Sequence, residues 1–393
     1  MTLGIYVQVP FCQAKCTYCN FHTGVFSASL YAPYTQAVCR EIREHASLYK
    51  AAGLMIPRAL DGLPVDTIYI GGGTPSLLEP LALANIIETI CAAFSTKLTE
   101  VTLEADPETV TPEKAAAWRT AGINRISLGA QSFTDVELKA AGRMHRCADI
   151  FQSAKWLRQC GFANVSFDLI AGLPHQTRAS WEKSLDELFG QAPEHVSIYL
   201  MEIDEASRLG REVLLGGVRY GAIALPSDDA MAEFYESACV RLAEHGYEHY
   251  EISNWGRPGR ASRHNLKYWR REPYLGFGAG AHSFNGRERW ANAHDPSAYA
   301  ASVSKGKLPV EQVETVTAQQ ALEEELFLGL RQLDGIDLDV LENRYSGCFR
   351  KDLRRRVDEL ATQGLVEQVG SRVRLAAARL AVSNEVFVAL MAS

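Results

Sequence analysis

Between residues 3 and 203, short runs rich in β-branched and aromatic residues alternate with longer stretches of helical period, the pattern of βα units that build a parallel sheet. The strand candidates are IYVQVP (5–10), TIYIGG (67–72), VTLEAD (101–106), INRISLGA (123–130), VSFDLIAG (165–172) and HVSIYLMEI (195–203). Helical text fills the gaps, as at 34–53 and 111–122, the second opened by Thr111-Pro112 and closed by Gly122. Each strand ends in polar or glycine-rich residues. Parallel barrels carry their chemistry on the loops beyond the strand ends, so function is to be sought there.

Six such units predict an α/β fold, a partial (β/α)6 barrel of TIM type, open at one side. Residues 204–310 are less regular, with a helix over 227–246, then HYEISNWGRPGRASRHNLKYW and the glycine-rich YLGFGAGAHSFNG. From about 316 the text changes to charged amphipathic helices at 321–335 and 349–370, followed by a short strand at 372–377, which predicts a helical domain of winged-helix type. The expected division is 1–204 for the partial barrel, 205–310 for an extension packing on it, and 311–393 for the C-terminal domain.

The 393 residues suffice for one large core and a smaller one. A net charge of −7 gives no cationic surplus to neutralise phosphates, so non-specific nucleic-acid binding is a poor reading. The first residues lack the basic start and apolar stretch of a secretory signal, and no run has the length of a membrane span, so the expected compartment is the cytoplasm. Nine cysteines stay reduced there, and their odd number and uneven spacing do not suggest a disulfide framework.

Three of them, Cys12, Cys16 and Cys19, fall within one short loop after the first strand. Thiolates are the preferred ligands of iron-sulfur clusters, and three of them leave one iron of a [4Fe-4S] cube open. Two plainer readings stand beside this one: a zinc knuckle with His22 as fourth ligand, or three buried cysteines with no shared role. The other six cysteines are scattered and read as packing. A second element, Gly71-Gly72-Gly73-Thr74-Pro75, follows the second strand and would let backbone N–H and C=O groups approach a charged ligand. Alone it is a turn; after a cysteine-bearing first strand it gains weight.

The spacing Cys12-x3-Cys16-x2-Cys19 resembles the defining motif of the radical S-adenosylmethionine superfamily. The text YVQVPFC, KCTYCNF, YIGGGTPS, LEADPE, SLGAQSF, GRMH, FDLIAGLPHQT, YEISNW, HNLKYW and GFGAGAHS resembles, nearly end to end, one branch of it. That branch holds the oxygen-independent coproporphyrinogen oxidases and the HemW-type heme chaperones. The resemblance implies a [4Fe-4S] cluster on the three cysteines, with S-adenosylmethionine chelated at the open iron, where reduction of its sulfonium releases a 5′-deoxyadenosyl radical. Its implied S-adenosylmethionine contacts fall on Tyr6, Gly72, Gly73, Thr74, Glu104, Gln131, Arg143 and Asp168. Arg143 would pair with the methionine carboxylate, while Glu104, Gln131 and Asp168 would take the amine and ribose hydroxyls. Taken without the resemblance, Arg143 and Asp168 read equally well as a structural ion pair.

Two features favour the chaperones over the oxidases. Phe21 stands where the oxidases have a further cysteine, and eleven residues precede Cys12 where they have a longer segment. The chaperone reading implies heme as cargo and heme-accepting apoproteins, such as respiratory cytochromes, as partners; it leaves peripheral membrane contact and oligomeric state open. The HNxxYW text at 264–269 makes His264 a candidate heme ligand, the alternative being a structural histidine closing the barrel. Ser262 stands where many relatives have cysteine, and Ala171 where they often have tyrosine. His145, His175 and His282 lie beside motif residues without an assigned role. The alternative functions are porphyrinogen oxidative decarboxylation and a radical methyltransferase on the same scaffold.

Overall fold

The structure, a computed structural model, describes residues 1–53, 60, 62–348 and 351–391. Its centre is six parallel strands paired in chain order: β1 (Leu3–Val9), β2 (Val65–Gly72), β3 (Thr96–Ala105), β4 (Arg125–Gln131), β5 (Val165–Ala171) and β6 (His195–Leu200). All six expected strands form, with ends displaced by a few residues. Helices connect them, among them Tyr31–Ala51 and Pro112–Thr120; the second begins where Thr111 Oγ1 accepts a bond from the Lys114 amide.

The sheet stays open and is widened at both edges. Beyond β6 lie β7 (Glu248–Glu251) and β8 (Asn254–Gly256). On the other side β9 (Tyr274–Phe277) runs parallel to β1 and leads into β10 (His282–Phe284), β11 (Glu288–Asn292) and β12 (Val310–Thr315). The result is one sheet of twelve strands in the order β12-β11-β10-β9-β1-β2-β3-β4-β5-β6-β8-β7.

Side chains alternate along each central strand, as a pleat requires. Ile5 and Val7, Ile68 and Ile70, and Ile126 and Leu128 are fully buried and join helix residues such as Ile42, Ile86 and Trp118 in one continuous core. Each such aliphatic side chain contributes roughly 1.5–3 kcal/mol relative to exposure. The alternate positions are polar: Tyr6 and Gln8, Thr67 and Tyr69, Glu104, Arg125 and Ser127, Ser166 and Asp168, His195 and Ser197. The helices therefore hold the sheet from its apolar face, and its inner face is a polar lumen.

The C-terminal part has helices Ala318–Arg331, Leu338–Arg344 and Lys351–Thr362 and a small sheet of β13 (Ile336–Asp337), β14 (Val366–Val369) and β15 (Arg372–Leu375) in the order β13-β15-β14. This is the expected winged arrangement, with one correction. The helix read over 349–370 ends at Thr362, Gly364 takes a left-handed conformation (φ 68°), and 366–369 pair with 372–375 as a hairpin. Residues 349 and 350 lie outside the described residues. This part docks at the amino ends of the central strands, where Arg271 pairs with Glu324 at 2.7 Å and Arg331 lies 4.7 Å over the Trp269 ring. Among the described residues no helix is long and apolar enough to cross a membrane.

Candidate functional site

The loop after β1 is clamped at its base: the Cys12 amide donates to Gly24 O and the Gly24 amide to Pro10 O, both at 2.9 Å. Within it Cys12, Cys16 and Cys19 carry free thiols. The loop is anchored across the sheet by the Thr17 amide, which donates to Ala141 O at 2.9 Å. Between this loop and the carboxyl ends of the central strands lies a cavity of about 430 Å³, bordered by all three cysteines and by Gly72, Gly73, Thr74, Glu104, Gln131, Arg143 and Asp168. Its size lies in the range of small-molecule clefts, about 300–1,000 Å³.

The backbone here leaves no room for larger residues. Gly72 has φ 116°, and a Cβ on it would come within 2.5 Å of the Gln8 amide; one on Gly73 would meet Phe11 O at 2.5 Å and Cys12 Sγ at 2.9 Å. Gln131, at the end of β4, also has a positive φ of 65°, a conformation that costs a non-glycine residue energy and is concentrated at functional sites.

Arg143 is the hub of the charged groups. It donates to Asp106, to Gly129 O at 3.0 Å and through Nη1 to Cys16 Sγ at 3.4 Å. Burial alone would lower its pKa, but Asp106, Tyr18, Cys16 and Glu108 together outweigh that and hold the guanidinium charged. Its Nε is buried and, among the described residues, has no partner. The ion pair weighed from the sequence therefore forms with Asp106, not with Asp168. Asp168 instead accepts from Ser127 Oγ at 3.1 Å and Ser166 Oγ at 3.4 Å. Glu104 accepts from the Tyr69 hydroxyl at 2.8 Å and the Gly72 amide at 2.9 Å. Burial nevertheless pushes Glu104 up to about 7, and it raises Asp168 as well.

Asp106 went unnoticed as a site residue in the sequence. It accepts from Thr74 Oγ1 at 3.0 Å as well as from Arg143, so it ties the β2, β3 and β4 endings together. Its signal was available: it is the polar residue just beyond β3, within the quoted LEADPE. Ser127 and Tyr199, which also border the cavity, carry no motif that would have marked them.

Two expected residues do not border the cavity. Tyr6 faces the lumen with its hydroxyl donating to Gln8 Oε1 at 2.6 Å, its ring 6.1 Å from that of Tyr69. His264 lies at the opposite, amino-terminal end of the strands. It is fully buried, with Nδ1 2.9 Å from Thr67 Oγ1 and Nε2 2.8 Å from the Tyr268 hydroxyl, so both ring nitrogens are engaged. Burial, then Lys267 and Arg125, lower its pKa to about 3. Ser262 caps the helix Arg263–Trp269, its Oγ accepting from the Asn265 amide. His145, His175 and His282 do not border the cavity either. His145 is buried between Glu108 and Ala130 O. His22 stacks on His294, and among the described residues no three His, Cys, Asp or Glu side chains gather as a single metal ion would need, so the ligand set of a zinc knuckle is not assembled. An iron-sulfur cube spreads its thiolates over separate irons, and an arc of three thiols around an open cavity suits it.

A cysteine loop after the first strand, opening on a polar cleft at the carboxyl ends of a parallel sheet, is the architecture of a radical S-adenosylmethionine protein. Residues 6–188 match the Radical SAM superfamily and 316–378 the HemN C-terminal domain. The chain is 33% identical over 389 residues to the heme chaperone HemW of Bacillus subtilis (strain 168), covering 98% of each. It is 35% identical to that of Mycobacterium tuberculosis (strain ATCC 25618 / H37Rv), over 95% of this chain and 90% of the relative. In fold it is similar to the coproporphyrinogen III oxidase HemN of Escherichia coli, with a TM-score of 0.83 at 21% identity, over 100% of this chain and 90% of that one. The chain belongs to the HemW family. Membership of the superfamily implies a [4Fe-4S] cluster and S-adenosylmethionine.

Proposed function

We propose that this chain is a heme chaperone that binds heme and hands it to apoproteins such as respiratory cytochromes in the cytoplasm or at a membrane surface facing it. The observation that carries the reading is the match to chains named heme chaperone HemW over 98% of both lengths. Phe21 supports it from this chain's own residues: it stands at the cavity border, 66% exposed, at the position of the oxidases' further cysteine.

In this reading Cys12, Cys16 and Cys19 hold a [4Fe-4S] cluster. The cluster would supply an open iron for the amino and carboxylate groups of S-adenosylmethionine and an electron for its sulfonium. The remaining tasks fall to the polypeptide. Gly72 and Gly73 keep the backbone low enough for close approach, and Thr74 is held for contact by Asp106. Arg143, with one nitrogen spare, receives a carboxylate, while Glu104, Gln131 and Asp168 face the amine and ribose. Residues 1–204 would serve as the cofactor-binding part, 205–310 as its extension at both edges of the sheet, and 311–393 as a cover for the lumen floor.

The test is anaerobic reconstitution of the cluster, followed by parallel assays of heme binding and coproporphyrinogen III conversion with S-adenosylmethionine and a reductant. Heme bound at about one per chain, without porphyrinogen turnover, is the expected result. Carbon dioxide and vinyl product would overturn the reading in favour of the oxidase; release of S-adenosylhomocysteine would favour a methyltransferase.

A further inference from the structure

Two histidines that are far apart in sequence meet beside the cysteine loop, and a third lies near enough to feel their charge. His22 ends the same loop that carries Cys19, and its exposed ring lies 4.1 Å from that of His294, tilted by 31°. His294 follows β11, and its Nδ1 is buried against Gly280, with no hydrogen-bond partner among the described residues. His282, exposed, opens β10 and pairs in register with Ala291 of β11. The pKa of His22 is lowered by burial and then by His294 and Lys15, and that of His282 by burial and then by His294, Arg289 and His22. His22 and His282 are thereby favoured as neutral imidazoles, the form that binds iron.

The surroundings are those of a porphyrin more than of a bare ion. Phe21, adjacent to His22, borders the cavity and is 66% exposed, an apolar ring at its mouth. Lys15, whose Nζ lies 3.4 Å from Phe21 O, brings a cation to the same rim, where it can meet a propionate. Among the described residues no three ligands gather for a free ion, but heme iron needs only one or two side chains. His264, by contrast, is enclosed and has no ring nitrogen to spare.

We propose that heme docks across the cavity mouth against Phe21, with His22 as the axial ligand of its iron and His294 as the positioning residue stacked behind it. The proposal rests on the chaperone reading, and it separates the heme site from the HNxxYW helix. Ligation adds one nitrogen donor to the iron and releases the water or anion it replaces, with no change of oxidation state.

The test uses the full chain with its cluster reconstituted, titrated anaerobically with ferric protoporphyrin IX. Binding is followed by the Soret difference spectrum and axial ligation by electron paramagnetic resonance. His22→Ala should weaken heme binding by about tenfold or more and abolish the histidine-ligated signal. Added imidazole should restore heme affinity together with that signal; a signal restored without affinity would be imidazole on loosely held heme and would assign His22 a structural role. His294→Ala should weaken binding less, and His264→Ala should leave the ligation signal unchanged. An unaltered spectrum and affinity in His22→Ala overturns the assignment while the chaperone reading stands. Loss of the signal in His264→Ala alone moves the ligand to the floor of the lumen. Failure of the unsubstituted protein to bind heme overturns the chaperone reading itself.

Discussion

The two ends of the lumen are built from the same residue types and have opposite characters. At the floor, polar side chains are enclosed by the fold. Glu100 accepts from the Arg263 and His264 amides at 2.9 and 3.1 Å, while His195 spans Ser166 and Tyr250, at 2.7 Å to each hydroxyl. Arg125, 1% exposed, is held charged there despite its burial, with Glu100 the first of the anions that do so. At the mouth, Arg143, Glu104 and Asp168 border an open volume, and Glu104 is near the point of losing its charge. A buried polar group that is satisfied stabilises one fold; one left facing a cavity is held ready for something else. Polarity alone therefore does not mark a site. The difference is whether the group borders open volume: Glu104, Asp168 and Arg143 do, whereas Arg125, whose Nε and Nη1 also lack a hydrogen-bond partner among the described residues, does not.

Substitutions should separate the two ends. The largest effect is expected at the mouth, where replacing Cys12, Cys16 or Cys19 singly with alanine should bring iron and sulfide per chain to background after anaerobic reconstitution. Normal content in any one of them would remove that residue from the ligand set. Next, at the floor, Glu100→Ala leaves the Arg263 and His264 amides at the start of helix Arg263–Trp269 without their acceptor, and should cost about 1–3 kcal/mol per amide in denaturant unfolding. Its cluster content, measured where the protein is folded, should stay near normal. A floor variant that loses its cluster while still fully folded would erase the distinction.

Smaller effects sharpen the contrast within the mouth. Arg143→Lys keeps the charge and loses the planar fork that meets Asp106 and Gly129 O; affinity for S-adenosylmethionine, by anaerobic calorimetry, should fall by roughly tenfold. Glu104 should make the same affinity depend on pH. With its carboxyl raised to about 7, it is mostly protonated at pH 6 and a poorer acceptor for the N–H groups of an iron-bound amine, so affinity should rise as pH increases through 7, and Glu104→Gln should flatten that profile. The stability effect has the opposite sense. The folded pKa lies above the unfolded one, near 4.3, so the folded chain holds the extra proton between them and loses stability as pH rises through that window. Glu104→Gln should therefore be modestly more stable than the parent at pH 8 and bind less well. A variant that is both less stable and unaltered in affinity would assign Glu104 to the framework.

The hydrophobic pattern alone was enough for the six central strands and their order, because each βα unit is a local solution with period 2 on the strand and 3.6 on the helix. It was also enough for the cysteine loop and the glycine run, which are contiguous in the chain. Where it failed, the deciding contacts were distant. Residues 366–369 read as helix because their strand character depends on pairing with 372–375. Asp106 and Arg143 are 37 positions apart, and His22, His282 and His294 come from the cysteine loop, β10 and the segment after β11. His264 shows the limit most directly. Its motif marked it from the sequence, but only the packing of its helix against Thr67 and Glu100 decided that the imidazole is enclosed at the floor, because burial is a property of the assembled fold and not of a residue's neighbours in the chain.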